Sequence, residues 1–172
     1  MAETISYQVE GEIDGVELRK YPAIRVATVA SHPDEEAFRH LFAYISGENR
    51  TTERIAMTAP VISHEKIAMT APVLSDETSM SFVMPQEYSM ENLPEPLDPV
   101  VRLAEIPPRM MAVIRFRGTA DPGSVSEMTE RLLAVLEQHG IEAVGTPFLM
   151  RYNPPFIPGI FRKNEVGVEI RQ

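Results

Sequence analysis

Residues 23–46 read AIRVATVASHPDEEAFRHLFAYIS, and the change of pattern along them decides the fold class. From Ala23 to Ser31 the chain is rich in branched residues, which predicts an extended strand. Ser31-His32-Pro33-Asp34-Glu35-Glu36 then announces a helix, with proline suited to the first turn and carboxylates on the positive end of the dipole. The helix is expected to run to about Ser46 and stop at Gly47. Its apolar stripe is Phe38, Leu41, Phe42 and Ile45, spaced i, i+3, i+4, i+7, so one face is meant for a core. Residues 110–140 repeat the scheme. A strand from Met110 to Arg117 leads to Asp121-Pro122, which opens a helix with stripe Val125, Met128, Leu132, Val135 and Leu136, and Gly140 is placed to cap its end.

More strand candidates follow each helix: Pro60 to His64, Val73 to Leu74 and Met80 to Met84 in the first half, Phe148 to Tyr152 and Glu165 to Ile170 in the second. In the last, Val166, Val168 and Ile170 alternate with Glu165, Gly167 and Glu169. Strands at Glu17 to Tyr21 and Val101 to Ile106 would complete the sheet. The order strand, helix, strand, strand occurs twice, which predicts an α+β fold from a duplicated half, about residues 5–90 and 98–172. Two antiparallel layers would close on each other with both helices outside. Two proline-rich stretches interrupt the pattern: residues 92–99 read as a connector between the halves, and residues 152–159 as a stiff loop whose aromatics suit the mouth of a pocket.

At 172 residues and 44% hydrophobic content, the chain can enclose one sizeable core, so a single domain is expected. No stretch approaches the roughly 20 apolar residues of a membrane span, and Met1 to Glu10 lacks the pattern of a signal peptide. A soluble, cytoplasmic protein without a membrane partner is the expectation. The net charge of −9, with no block of Lys and Arg, argues against nucleic acid as a partner. Zero cysteines exclude disulfides, a thiolate nucleophile and cysteine-held haem or zinc.

The segment Ile55-Ala56-Met57-Thr58-Ala59-Pro60-Val61 recurs letter for letter at Ile67 to Val73, each copy preceded by a basic residue, Arg54 or Lys66. With Ser63-His64-Glu65 as a turn, the two copies read as a hairpin of extended segments. Taken with Val16 to Pro22, Gly47 and Asn49, Phe82-Val83-Met84-Pro85, Tyr152-Asn153-Pro154-Pro155 and Arg162 to Val166, the chain resembles the SOUL family of haem-binding proteins from about Tyr7 to Ile170. The resemblance implies a distorted antiparallel β-barrel with two helices, like bacterial effector-binding domains, and non-covalent binding of haem or a porphyrin.

Haem is a flat apolar ring with two carboxylates, so its site needs apolar walls, cations and optionally an axial ligand. Met57, Met69, Phe42, Phe82, Met84 and Phe156 suit the walls. By the resemblance, the cations are Arg50, Arg54, Arg162 and Lys163. Some relatives carry a histidine just before the tyrosine corresponding to Tyr21, where this chain has Lys20. His139, in the last turn of the second helix, is a weak candidate for iron; His32, His40 and His64 are placed at a helix entry, a water-facing position and a turn. No nucleophile elbow, phosphate loop or zinc-protease motif is present, so no catalytic residue is assigned. The alternative is a free-standing effector-binding-like domain that binds or hydrolyses another small apolar ligand. A buried glutamate with raised pKa would favour hydrolysis; an apolar cavity edged by cations would favour haem.

Overall fold

The computed structural model describes residues 3–64, 78–153 and 156–172. Ten strands are described: β1 (Glu3–Thr4), β2 (Gln8–Ile13), β3 (Val16–Tyr21), β4 (Ile24–Ala30), β5 (Thr58–His64), β6 (Ser79–Val83), β7 (Arg102–Ile106), β8 (Arg109–Arg117), β9 (Ala143–Arg151) and β10 (Lys163–Ile170). Helix α1 (Asp34–Ile45) separates β4 from β5, and α2 (Pro122–Gln138) separates β8 from β9. The second repeat copy with Met69, and the expected strand at Val73 to Leu74, lie outside the described residues. Ser63 and His64 belong to β5 rather than to a turn.

The cap residues act as expected. Asp121 accepts the Ser124 backbone N–H at 2.9 Å ahead of α2. At its other end Gly140 is left-handed (φ +67°), and the Ile141 N–H returns to the Leu136 carbonyl at 2.9 Å.

One sheet runs in the order β2-β3-β8-β10-β9-β5-β6-β4-β7, every pairing antiparallel, and β1 adds to β5 in parallel. The trio β4-β6-β5 has the same chain connection as β8-β10-β9, and β5 joins the trios by pairing Ile62 with Met150. The expected closed barrel is corrected to an open sheet among the described residues, with β2 and β7 as edges. Nothing drives the edges together: β2 exposes Gln8, Glu10 and Glu12, β7 exposes Arg102 and Glu105, and charged edges resist further pairing.

The period of two sorts each strand between layers. Val16, Ala112, Ile114, Val166, Val168 and Ile170 pack beneath α2. Ala27, Val29, Met80 and Phe82 pack beneath α1. The opposite face carries Val26, Ile62 and Val83 from the first half against Met111, Val113, Phe148 and Met150 from the second. Gly167 lies on this inner face. A Cβ there would stand 2.8 Å from Met111 Cε and 2.9 Å from Met150 Cε.

Helix α1 departs from its expected stripe. It buries Ala37, Leu41, Tyr44 and Ile45, while Phe38 and Phe42, one position further round, stay exposed. Their rings stack at 6.0 Å, and Phe38 meets Phe82 edge-on at 5.3 Å. Among the described residues no helix is long and apolar enough to cross a membrane.

Candidate functional site

The exposed aromatics of α1 form one wall of a pocket of about 330 Å³. The first repeat copy supplies the facing wall with Met57, Thr58, Ala59 and Val61, and Met80 adds to it. Arg151, Tyr152 and Asn153, where β9 ends, complete the rim. Pro60 lacks an N–H, and it sits where the register of β5 against β6 slips between Thr58 and Val61, a position where proline costs no ladder bond. The walls are apolar, with one exception. Thr58 is buried and its hydroxyl, shut off from solvent, has no hydrogen-bond partner, an arrangement that costs free energy.

Behind Tyr152 lies a buried polar cluster. Glu17, Arg19 and Tyr21 project from one face of β3 while Val16 and Leu18 serve the α2 core, and Glu165 projects from β10. Arg19 and Glu165 are 0% and 1% exposed. Arg19 donates Nη1–H to Glu165 Oε1 at 2.9 Å and Nη2–H to Oε2 at 2.6 Å, a two-bond fork. Arg19 Nη1 also donates to the Tyr21 hydroxyl at 2.8 Å, and its guanidinium lies 4.1 Å from the Tyr7 ring centroid. Arg115 Nε reaches Glu165 Oε2 at 3.3 Å, and the Tyr152 hydroxyl donates to Oε1 at 2.5 Å. Tyr152 thus has its ring in the pocket wall and its hydroxyl in the cluster.

Burial alone would raise the Glu165 pKa. Hydrogen bonds from Arg19 and Tyr152, with the charges of Arg19 and Arg115, outweigh it and hold the carboxyl below its usual range. Burial, and then the neighbouring Glu165 charge, push the Tyr152 phenol far up, so it remains a donor. The Tyr21 phenol is pushed up to about 12 by burial, against the opposing Arg19 charge.

Of the residues assigned from sequence, Phe42 and Met57 line the pocket. Phe82 and Met84 are core beneath α1. Arg54 is exposed, three residues before Met57, and Arg50 pairs with Glu95 at 3.2 Å on the surface. Lys163 holds Nζ 5.5 Å from the Tyr152 ring centroid, and Arg162 donates Nε–H to the Ile157 carbonyl at 2.8 Å. Phe156 is 81% exposed. His139 caps α2 and meets Asp14 at 3.1 Å, outside the pocket lining; His40 meets Asp98 and His32 the Ala30 carbonyl. No group of metal-binding side chains occurs among the described residues. Tyr152 and Asn153 begin the loop expected at a pocket mouth, whereas sequence reasoning missed Phe38, Thr58, Ala59, Val61, Met80 and Arg151 as lining residues. The signal for four lining residues was present in the first repeat copy, whose walls the chain spells out consecutively.

Fold and site define an antiparallel α+β domain with an apolar pocket under its first helix. The chain belongs to the SOUL heme-binding protein family, which it matches over residues 2–169. Among curated proteins none matches the sequence. Solved structures share the fold at low identity. The C-terminal domain of EcmrR aligns with a TM-score of 0.65 and 11% identity, over 96% of this chain and 98% of that one. A hydrolase from Listeria innocua aligns at 0.60 and 14%, over 94% of each. EcmrR in a DNA complex aligns at 0.64 and 13%, over 96% of this chain and 58% of that one. At such identities the likeness is one of fold.

Proposed function

We infer that the pocket under α1 binds haem or a related tetrapyrrole non-covalently, for carriage or buffering, without a dedicated catalytic residue. The observation that carries this is an apolar, aromatic and methionine-lined pocket in a chain of a haem-binding family. Its volume sits at the lower end of the ~300–1,000 Å³ range of ligand sites, so a macrocycle would lie part-way out, against Phe42. The groups present fit it: Phe38, Phe42 and Tyr152 offer aromatic surface, Met57 and Met80 polarizable sulfur, and the cations for propionates would be Arg151 on the rim, which also meets Asp34 at 3.4 Å, and Lys163 beside the Tyr152 ring, together with Arg54 and Arg162. No histidine lines the pocket among the described residues, which supports binding that does not depend on axial nitrogen. When bound, the iron would supply the ligand's own redox and gas-binding chemistry.

Hydrolysis asks for a carboxyl poised to take or give a proton. Glu165 is instead saturated by two arginines and a tyrosine and held ionised. The matching trios β4-β6-β5 and β8-β10-β9 support reading the chain as one domain built of two similar halves.

The test is a hemin titration followed at the Soret band, repeated with iron-free protoporphyrin and with Phe42→Ala and Met57→Asp. Saturable one-to-one binding is expected, with Phe42→Ala weakened about tenfold, or ~1.4 kcal/mol. A titration without saturation at micromolar hemin, or one indifferent to both substitutions, overturns the reading.

A further inference from the structure

Three large apolar side chains stand out of the loop that follows Tyr152. Phe156, Ile160 and Phe161 are 81%, 74% and 61% exposed. Single exposed apolar residues are ordinary on a protein surface; three within six positions are not. The loop is built to hold them there. A 3-10 turn, Gly159–Phe161, bonds the Phe161 N–H to the Pro158 carbonyl at 2.9 Å, and Arg162 ties back to Ile157 through Nε. The Gly118 N–H donates to the Arg162 carbonyl at 3.1 Å. Gly159 lies close to the next residue of that segment, since a Cβ there would meet Thr119 Oγ1 at 2.5 Å.

Charge is segregated around this tip. The chain carries −9 overall, yet no acidic residue occurs from Arg109 to Ala120 or from Ala143 to Asn164, the two segments that meet here. Arg117 and Lys163 are directly paired across β8 and β10 and so project from one face beside the loop. A small exposed apolar tip with flanking cations fits a lipid surface better than a protein. At ~200 Å² per large side chain the three expose roughly 400 Å², about half of what each side of a stable protein interface buries.

We propose that this end of the molecule docks on an anionic phospholipid bilayer, with Phe156, Ile160 and Phe161 entering the boundary between headgroups and acyl chains, and Arg117 and Lys163 facing the lipid phosphates. The absence of an apolar span, from which no membrane partner was expected, does not bear on docking by a folded loop. Asn153 on the pocket rim is three residues from Phe156, at most ~11 Å of chain, so docking sets the pocket mouth near the bilayer.

Flotation of the ligand-free protein with phosphatidylcholine vesicles, with and without phosphatidylglycerol, tests this independently of hemin. Flotation with the anionic vesicles alone is expected, weakening as salt rises. Phe156→Ser/Ile160→Ser/Phe161→Ser should reduce it at least tenfold, Ile160→Ser by a smaller factor, and Arg117→Gln about fivefold. Because these side chains are exposed, far-UV circular dichroism and thermal melting should match wild type. Failure of the wild type to float, flotation unchanged in both serine variants, or a concentration-dependent dimer that the triple variant abolishes while vesicles stay empty would each overturn the proposal.

Discussion

Replacing Glu165 by glutamine should be the most damaging conservative change in the protein. The substitution keeps the shape and removes the charge that Arg19, fully buried, meets through two hydrogen bonds at 2.9 and 2.6 Å. Leaving one partner of a buried pair uncompensated costs about 3–5 kcal/mol. Here Arg19 keeps Glu17 Oε1 at 3.4 Å and the Tyr21 hydroxyl, which places the loss near the lower end, about 3 kcal/mol. For a domain of this size each kcal/mol lowers Tm by about 2–4 °C, so a fall of about 6–12 °C is expected. Arg19→Met/Glu165→Gln removes both charges and should lose less than the two single changes added together, by ~2 kcal/mol or more. Urea unfolding followed by far-UV circular dichroism measures all four proteins, the chain having no tryptophan. The pH dependence adds an independent check. Since the Glu165 carboxyl titrates lower in the folded protein than in the unfolded chain, its contribution is present above the usual carboxylate pKa and is lost as pH falls through the lowered value. Glu165→Gln should therefore flatten the acid limb of stability. A loss under about 1 kcal/mol, or additive single changes, would refute the view of the pair as a closed, uncompensable unit.

Three further outcomes follow from particular contacts. Thr58→Val removes the orphaned hydroxyl at nearly constant shape and should stabilise the protein by about 1 kcal/mol in urea unfolding. Gly167→Ala should cost about 1–3 kcal/mol by thermal melting, toward the lower figure because the atoms it meets are the flexible ends of Met111 and Met150. Tyr21 and Tyr44 are each raised to about 12 by burial, so the folded protein resists their ionisation while the unfolded chain does not; stability should be full below pH ~10 and fall between there and about 12, as read by tyrosinate absorbance and circular dichroism in parallel.

The elements themselves were legible because each depends on local pattern. The 3.6-residue stripe of α2, its Asp121 cap and Gly140 stop, and the alternation of Val166, Val168 and Ile170 all appear where they were expected. Strands without such a signal were missed or shortened: β2 carries only Val9 and Ile13 as apolar residues, and β9 begins at Ala143, five residues before the apolar run at Phe148. Helix α1 shows the limit of periodicity. Phe38 and Phe42 share a stripe with Leu41 and Ile45 by spacing, but a stripe defines a face and not its centre. The core beneath β4 and β6 takes Ala37, Leu41, Tyr44 and Ile45, leaving the two aromatics at the margin as pocket wall.

Composition and order by themselves determined an α+β chain with two amphipathic helices, a repeated strand pattern, no cysteine chemistry and a family resemblance carried by short motifs, because each rests on neighbours a few positions apart. The tertiary structure alone decided that the sheet stays open, that Thr58 is left without a partner, and that Arg19 meets Glu165 across 146 positions of sequence. Alternation along β3 and β10 assigns Arg19 and Glu165 to a face of each strand. Which strands lie near one another, and how much water is left between them, follows from the packing of the whole chain, and that packing makes the pair a buried charge cluster behind the pocket wall.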